Sequence, residues 1–173
     1  MSRNIVNCLA QDIYGYVWIG TNNGVARFDG KNFKNYNELK NYGIISLLYD
    51  SNHKLWVATH LGLFKYNPAT DYFELVTSGY ISKLNEDKGS IYFLMASTIY
   101  RINGVEIQNL FHVNDISDFC FSKEGLWVSK NNNGVLLYDR KDNFSQPKAS
   151  YLQDKQVASI AEVEGVIFVS ILS

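Results

Sequence analysis

The sequence predicts an all-β, β-propeller-type chain with four full four-stranded blades and a partial fifth, forming an incomplete, open propeller. Three observations predict it. Aromatic residues recur at Trp18, Trp56, Tyr92, Trp127 and Phe168, at intervals of 38, 36, 35 and 41 residues. Within each interval, short apolar runs are separated by turn residues, which is the signature of four strands in a propeller blade. The composition agrees: 14% aromatic residues with 12 Gly and only 2 Pro among 173 residues favour strands and tight turns. Helical solenoids share the period. They are excluded because the apolar spacing within each unit alternates and glycines sit about every 8–12 residues.

The first blade spans about residues 4–37. Its strands read VNCLAQ, YVWIGT, VARFD and FKNYN. Asp12 opens the first turn, where its carboxylate can take backbone N–H groups two residues on. Gly15 and Gly24 supply the positive φ that the next two turns need. The second blade, about 42–76, repeats the scheme with Ile44, Leu47, Asp50, LWVAT, GLFKYN and YFEL. The third, about 79–111, carries Ile81, Leu84, Asp87 and Tyr92. The fourth, about 114–148, carries Ile116, Phe119, Ser122 and Trp127, and its last strand is weakly marked by NFSQP at 143–147. The partial fifth, 155–173, keeps Val157, Ile160 and GVIFVSIL and stops after its second strand.

The repetition assigns the anchors a structural role. A residue at one spot in every blade fills the wedge between blades, and a buried Trp removes a large area from water. A sugar-stacking platform is the functional alternative, and core packing outweighs it. Asp12, Asp50 and Asp87 each begin an equivalent turn in a different blade, so they do not form an acid pair. Cys8 and Cys120 read as small core residues, with a disulfide between them left open.

Lys plus Arg number 16 against 17 Asp plus Glu, for a net charge of −1. That balance lacks the electrostatic footprint of a nucleic-acid or anionic-membrane binder. No apolar run reaches membrane-spanning length, and MSRNIVNCLAQD has no apolar signal core. His53, His60 and His112 lack metal-ligand spacing, and no nucleophile elbow or phosphate-binding loop occurs. The sequence therefore predicts no catalytic residues, no metal and no cofactor. The formal sequon at Asn143 reads as chance.

The string I-x-x-L-x-x-D-x-x-G-x-[VL]-W-[IV]-[GA]-T-x-x-G-[VL]-x-[RK]-[FY] covers 6–28, with Val for Ile, and 44–66 closely. It resembles the two-component regulator propeller repeat, strongly in the first two blades and degenerately thereafter. The resemblance implies part of the periplasmic sensor region of Bacteroides-type hybrid histidine kinase/response regulators. In that family propellers and a β-sandwich precede a membrane helix and a kinase, and many members sense glycan breakdown products. The kinase and receiver parts are not in this chain, so the resemblance implies a non-catalytic sensory module rather than an enzyme.

Blade topology then nominates a site. Loops after the second strand and loops between blades share one end of each sheet, and the Asp turns occupy the other. The first end gathers Asn22, Asn23, His60, Lys130 and Asn131–133, with Tyr42, Tyr80, His112 and Asn114. Amides and aromatic rings together suit a neutral oligosaccharide, although Asn also crowds such loops for turn geometry alone. The ligand-binding candidates are Tyr42, His60, Tyr80, His112, Asn114 and Asn131. The end blades expose apolar faces, which predicts an open arc that pairs as a two-fold homodimer. A protein-interaction scaffold is the rival reading, and a propeller lyase or hydrolase is a third.

Overall fold

A computed structural model describes residues 5–172. The chain is all-β, and its only helical piece among the described residues is a 3₁₀ turn at Asn37–Leu39. The first sheet holds β1 (Val6–Gln11), β2 (Val17–Thr21), β3 (Gly24–Phe28) and β4 (Phe33–Asn35), in that order and antiparallel. The second holds β5 (Ile44–Tyr49), β6 (Leu55–Thr59), β7 (Gly62–Asn67) and β8 (Tyr72–Ser78). The third holds β9 (Ile81–Asp87), β10 (Ser90–Met95), β11 (Thr98–Asn103) and β12 (Glu106–His112). The fourth holds β13 (Ile116–Ser122), β14 (Gly125–Lys130), β15 (Val135–Tyr138) and β16 (Pro147–Tyr151). A two-stranded sheet of β17 (Gln156–Val163) and β18 (Val166–Leu172) follows.

The fourth blade departs from its reading. Its last strand is PKASY, not NFSQP. Asn143 and Phe144 both have positive φ, and their N–H groups return to Arg140 and Asp139 carbonyls, so this stretch is a tight turn. The turn drives Phe144 inward against Phe111 and Phe121, which is why an apolar residue there does not mark a strand.

A β-bulge explains the three-residue apolar spacing at the head of blades 1, 2, 4 and 5. The register shifts after Val6, Ile44, Ile116 and Val157, each time leaving one extra residue on the inner strand. The extra residue turns positions i and i+3 onto one face, where a regular strand would put them on opposite faces. Polar side chains at the bulge also tie blades together. Asn7 Nδ2 donates to the Ile44 carbonyl at 2.8 Å, and Ser117 Oγ donates to the Val157 carbonyl at 2.8 Å.

The chain divides into two units, one of residues up to Leu84 with Phe93–Ala96, the other of Asn85–Tyr92 with residues from Ser97 onward. In the first, Trp18 and Val25 of blade 1 pack with Ile44, Leu47 and Val57 of blade 2. Trp18 also meets the rings of Tyr36, Tyr66 and Phe73 at 5.4, 4.8 and 5.9 Å. In the second, Cys120, Trp127, Val135 and Leu137 of blade 4 pack with Val157 and Ile160 of the fifth sheet. Trp18, Trp56, Tyr92 and Trp127 are all buried, as the wedge reading expects. Both cysteines are free thiols.

Candidate functional site

The anchors carry hydrogen bonds that tie them to the turns. Asp12 Oδ1 accepts the N–H groups of Tyr14 and Tyr16, both at 3.0 Å, while Oδ2 accepts the Trp18 indole N–H at 2.8 Å. Asp50 repeats this with Asn52 and Lys54 N–H and with the Trp56 indole at 2.7 Å. Ser122 takes over in blade 4, accepting Glu124 N–H and the Trp127 indole, each at 3.0 Å. Blade 3 has Tyr92 and no indole. There the Arg140 guanidinium pairs with both oxygens of Asp87 and also donates to the Ser122 carbonyl at 2.6 Å. The repeated acids are therefore structural caps.

At the loop end, the sequence candidates fall into local groups. In the first unit, the Gly43 N–H donates to His60 Nδ1 at 3.0 Å, and the Tyr42 ring lies 6.1 Å from His60 and edge-on to Phe64. Tyr42 also lines a cavity of about 370 Å³ with Phe64, Tyr72 and Phe73. Tyr80 is exposed. In the second unit, His112 bridges Thr98 Oγ1 at 3.1 Å and Asn114 Oδ1 at 2.8 Å. Asn131 and Asn132 amides donate to Asp115, and Asn132 Oδ1 accepts from Gln156. These amides bind neighbouring loops, so the N-N-G segment has a fold-holding job.

A larger cavity, about 520 Å³, opens at the opposite end of the first two blades. Tyr14, Tyr16 and Trp18 come from the first hairpin of blade 1, and Tyr49, His53 and Lys54 from the equivalent hairpin of blade 2. Asp12, Arg27, Lys65, Tyr66 and Glu74 are among the other residues that line it. The Arg27 guanidinium lies over the Tyr16 and Trp18 rings at 4.7 and 5.4 Å and donates to Tyr66 Oη at 3.2 Å. Beside it, Asp71 accepts the phenol protons of Tyr36 and Tyr66, at 3.0 and 2.5 Å, and pairs with Lys34. The Lys34 ammonium, then the Tyr66 hydroxyl, holds the Asp71 carboxyl down at about 2. Burial pushes the Tyr36 and Tyr66 phenols up, and their hydrogen bonds to Asp71 add to this. Both tyrosines thus stay protonated donors that lock the cleft wall.

The sequence reading placed the site at the loop end and passed over this cleft. Tyr14, Tyr16 and Tyr49 flank the two Asp turns, and an excess of tyrosine beside cap residues was the available signal. Both lining acids are engaged: Asp12 as above, and Glu74 by the Asn67 amide at 2.6 Å. The cleft therefore offers ring faces and fixed donors.

Residues 1–23 match the two-component regulator propeller family. A comparison with curated proteins finds no match. Among solved structures, the chain is similar to the extracellular domain of BT3049 from B. thetaiotaomicron, named as a hybrid two-component system. The TM-score is 0.78 at 22% identity, covering 98% of this chain and 26% of that one. The extracellular domain of BT4673 from the same organism, also named as a hybrid two-component system, gives 0.77 at 19%, with 95% and 26% covered. A gluconolactonase, XC5397 from Xanthomonas campestris, gives 0.68 at 13%, with 94% and 68% covered. The chain thus spans about a quarter of the length of these extracellular domains. At these identities the likeness establishes the fold. Residues 1–23 match the two-component regulator propeller family, within a chain whose antiparallel four-stranded sheets share the fold of the BT3049 and BT4673 extracellular domains.

Proposed function

We propose that the chain is a non-catalytic recognition module of a two-component sensor, working in the periplasm on a glycan-derived ligand. The cleft between blades 1 and 2 carries this reading. Its volume of about 520 Å³ falls in the range of small-molecule sites. Tyr14, Tyr16 and Tyr49 offer faces on which the C–H side of a sugar ring stacks, while Arg27, Lys54 and Lys65 offer donors for hydroxyl or acidic groups. The match of residues 1–23 to the regulator repeat supports the sensory role. The engagement of Asp12 and Glu74 in structural hydrogen bonds speaks for binding over acid–base chemistry.

Tyr42, His60 and Tyr80 in the first unit, and separately His112, Asn114 and Asn131 in the second, are proposed as second contacts on the loops of each unit. Calorimetric titration of the chain with neutral and acidic oligosaccharides tests the reading. Tyr49→Ala and Tyr14→Ala are expected to weaken binding at least about tenfold, the loss typical of a stacking aromatic. Tyr42→Ala with His60→Ala reports separately on the loop end. Silence across a broad panel would overturn the ligand reading and favour a protein-interaction scaffold.

A further inference from the structure

The Asp turns of blades 1 and 2 are built alike, except at one residue. The Gly15 N–H donates to the Asp12 carbonyl at 3.0 Å, and the His53 N–H donates to the Asp50 carbonyl at 2.9 Å. Both residues are left-handed, with φ of 83° and 60°. Blades 3 and 5 also place a left-handed glycine in this turn, Gly89 and Gly165. Glycine takes positive φ freely, whereas the Cβ of histidine makes that conformation unfavourable. The turn does not need the imidazole, since Gly15 makes the same backbone bond without one. Core packing does not hold it either, because His53 is exposed. Its ring lies 6.1 Å from the Tyr49 ring, and both residues line the cleft between blades 1 and 2. A strained residue kept at the lip of a cavity, with no structural gain to offset it, points to a binding role.

The charges of the cleft show what His53 and its neighbour would meet. Asp12 spends both oxygens on three N–H groups. Asp50 is 3% exposed and spends its own on Asn52, Lys54 and Trp56. Glu74 stands opposite Lys65 in the β7–β8 register and accepts the Asn67 amide. Arg27 is bonded to Tyr66 and lies 3.8 Å from Asp71. Lys54 differs from these: it is exposed, and among the described residues its ammonium pairs with no carboxylate. The turn of blade 1 supplies ring faces instead of charge, with Tyr14 77% exposed where blade 2 has Asn52. Resting on the reading of this cleft as a saccharide site, we propose that the saccharide carries an anionic group, carboxylate or sulfate, held by His53 and Lys54 while its ring lies on Tyr14 and Tyr16. An imidazole N–H and an ammonium side by side give an anion two donors, and the bond to Lys54 is charge-assisted.

Calorimetry of the 173-residue chain with trigalacturonate, its neutral methyl ester and a sulfated galactose disaccharide tests this. At least one acidic probe is expected to bind about tenfold or more tighter than the ester, and to weaken as salt is added. Which acidic probe binds tells carboxylate from sulfate. His53→Gly and Lys54→Gln are each expected to weaken that probe by about three- to tenfold and to leave the ester unchanged. Urea denaturation supplies a second readout. His53→Gly relieves the left-handed strain, so its midpoint is expected to hold or rise while binding falls. Acidic binding untouched by both substitutions would overturn the proposal. So would a lowered midpoint for His53→Gly, which would give the imidazole a structural job. Binding of neutral saccharides as tight as that of acidic ones would overturn this proposal and leave the cleft reading standing, whereas silence with every saccharide would overturn both.

Discussion

Trp56→Ala probes the wedge where the repeat is best formed. Trp56 is 5% exposed, and its indole N–H bonds to Asp50, itself 3% exposed. Removing a buried large aromatic side chain leaves a cavity that costs about 3–5 kcal/mol. The substitution also strands one oxygen of a buried carboxylate, adding about 1 kcal/mol, the lower end of such losses, because Asn52 and Lys54 still serve the other oxygen. The expected total of about 4–6 kcal/mol is comparable with the whole stability of many domains. Trp56→Phe refills much of the volume but cannot donate, and should cost about 1–3 kcal/mol. Urea denaturation followed by far-UV circular dichroism measures both without relying on the fluorescence of the residue removed. An Ala variant within about 1 kcal/mol of the parent would refute the wedge assignment, given the usual cost of such truncations. A Phe variant as costly as Ala would refute the division between packing and hydrogen bond.

Three further outcomes follow from particular contacts. The Asp71 carboxyl is held at about 2, below its ordinary 3.8, so folding favours its ionised form and that contribution is complete above about pH 4. It is lost as pH falls through about 2, and the stability gap between the parent and Asp71→Asn should be flat near neutrality and close below about pH 4; a gap that widens there would sink the Lys34–Asp71 assignment. Burial pushes the Cys8 thiol up to about 11, so iodoacetamide at pH 8 should modify it far more slowly in the folded chain than in urea, as mass spectrometry can follow. Arg140→Ala should cost about 1–3 kcal/mol by leaving the Asp87 carboxylate short of its donors, and Asp87→Asn in that background should cost little more, which a double-mutant cycle measures.

The sequence alone determined the β architecture, because strand alternation, turn glycines and a repeating aromatic are local signals that every blade restates. It also identified Trp18, Trp56, Tyr92 and Trp127 as core, since an equivalent position in each blade meets an equivalent environment. The meaning of the apolar–x–x–apolar pattern was decided by tertiary structure. Its spacing fits neither face of a regular strand, and only the bulge after Val6, Ile44, Ile116 and Val157 reconciles it with burial. The Asp–indole bonds were likewise hidden, because a carboxylate and an indole six residues apart meet only once the hairpin has closed between them. Asp87 and Arg140 lie fifty-three residues apart, and nothing short of the folded blades brings them together. The cleft belongs to the same class: Tyr14, Tyr16 and Tyr49 are unremarkable turn neighbours in the chain, and they become one wall-and-floor arrangement only where two hairpins of adjacent blades are set side by side.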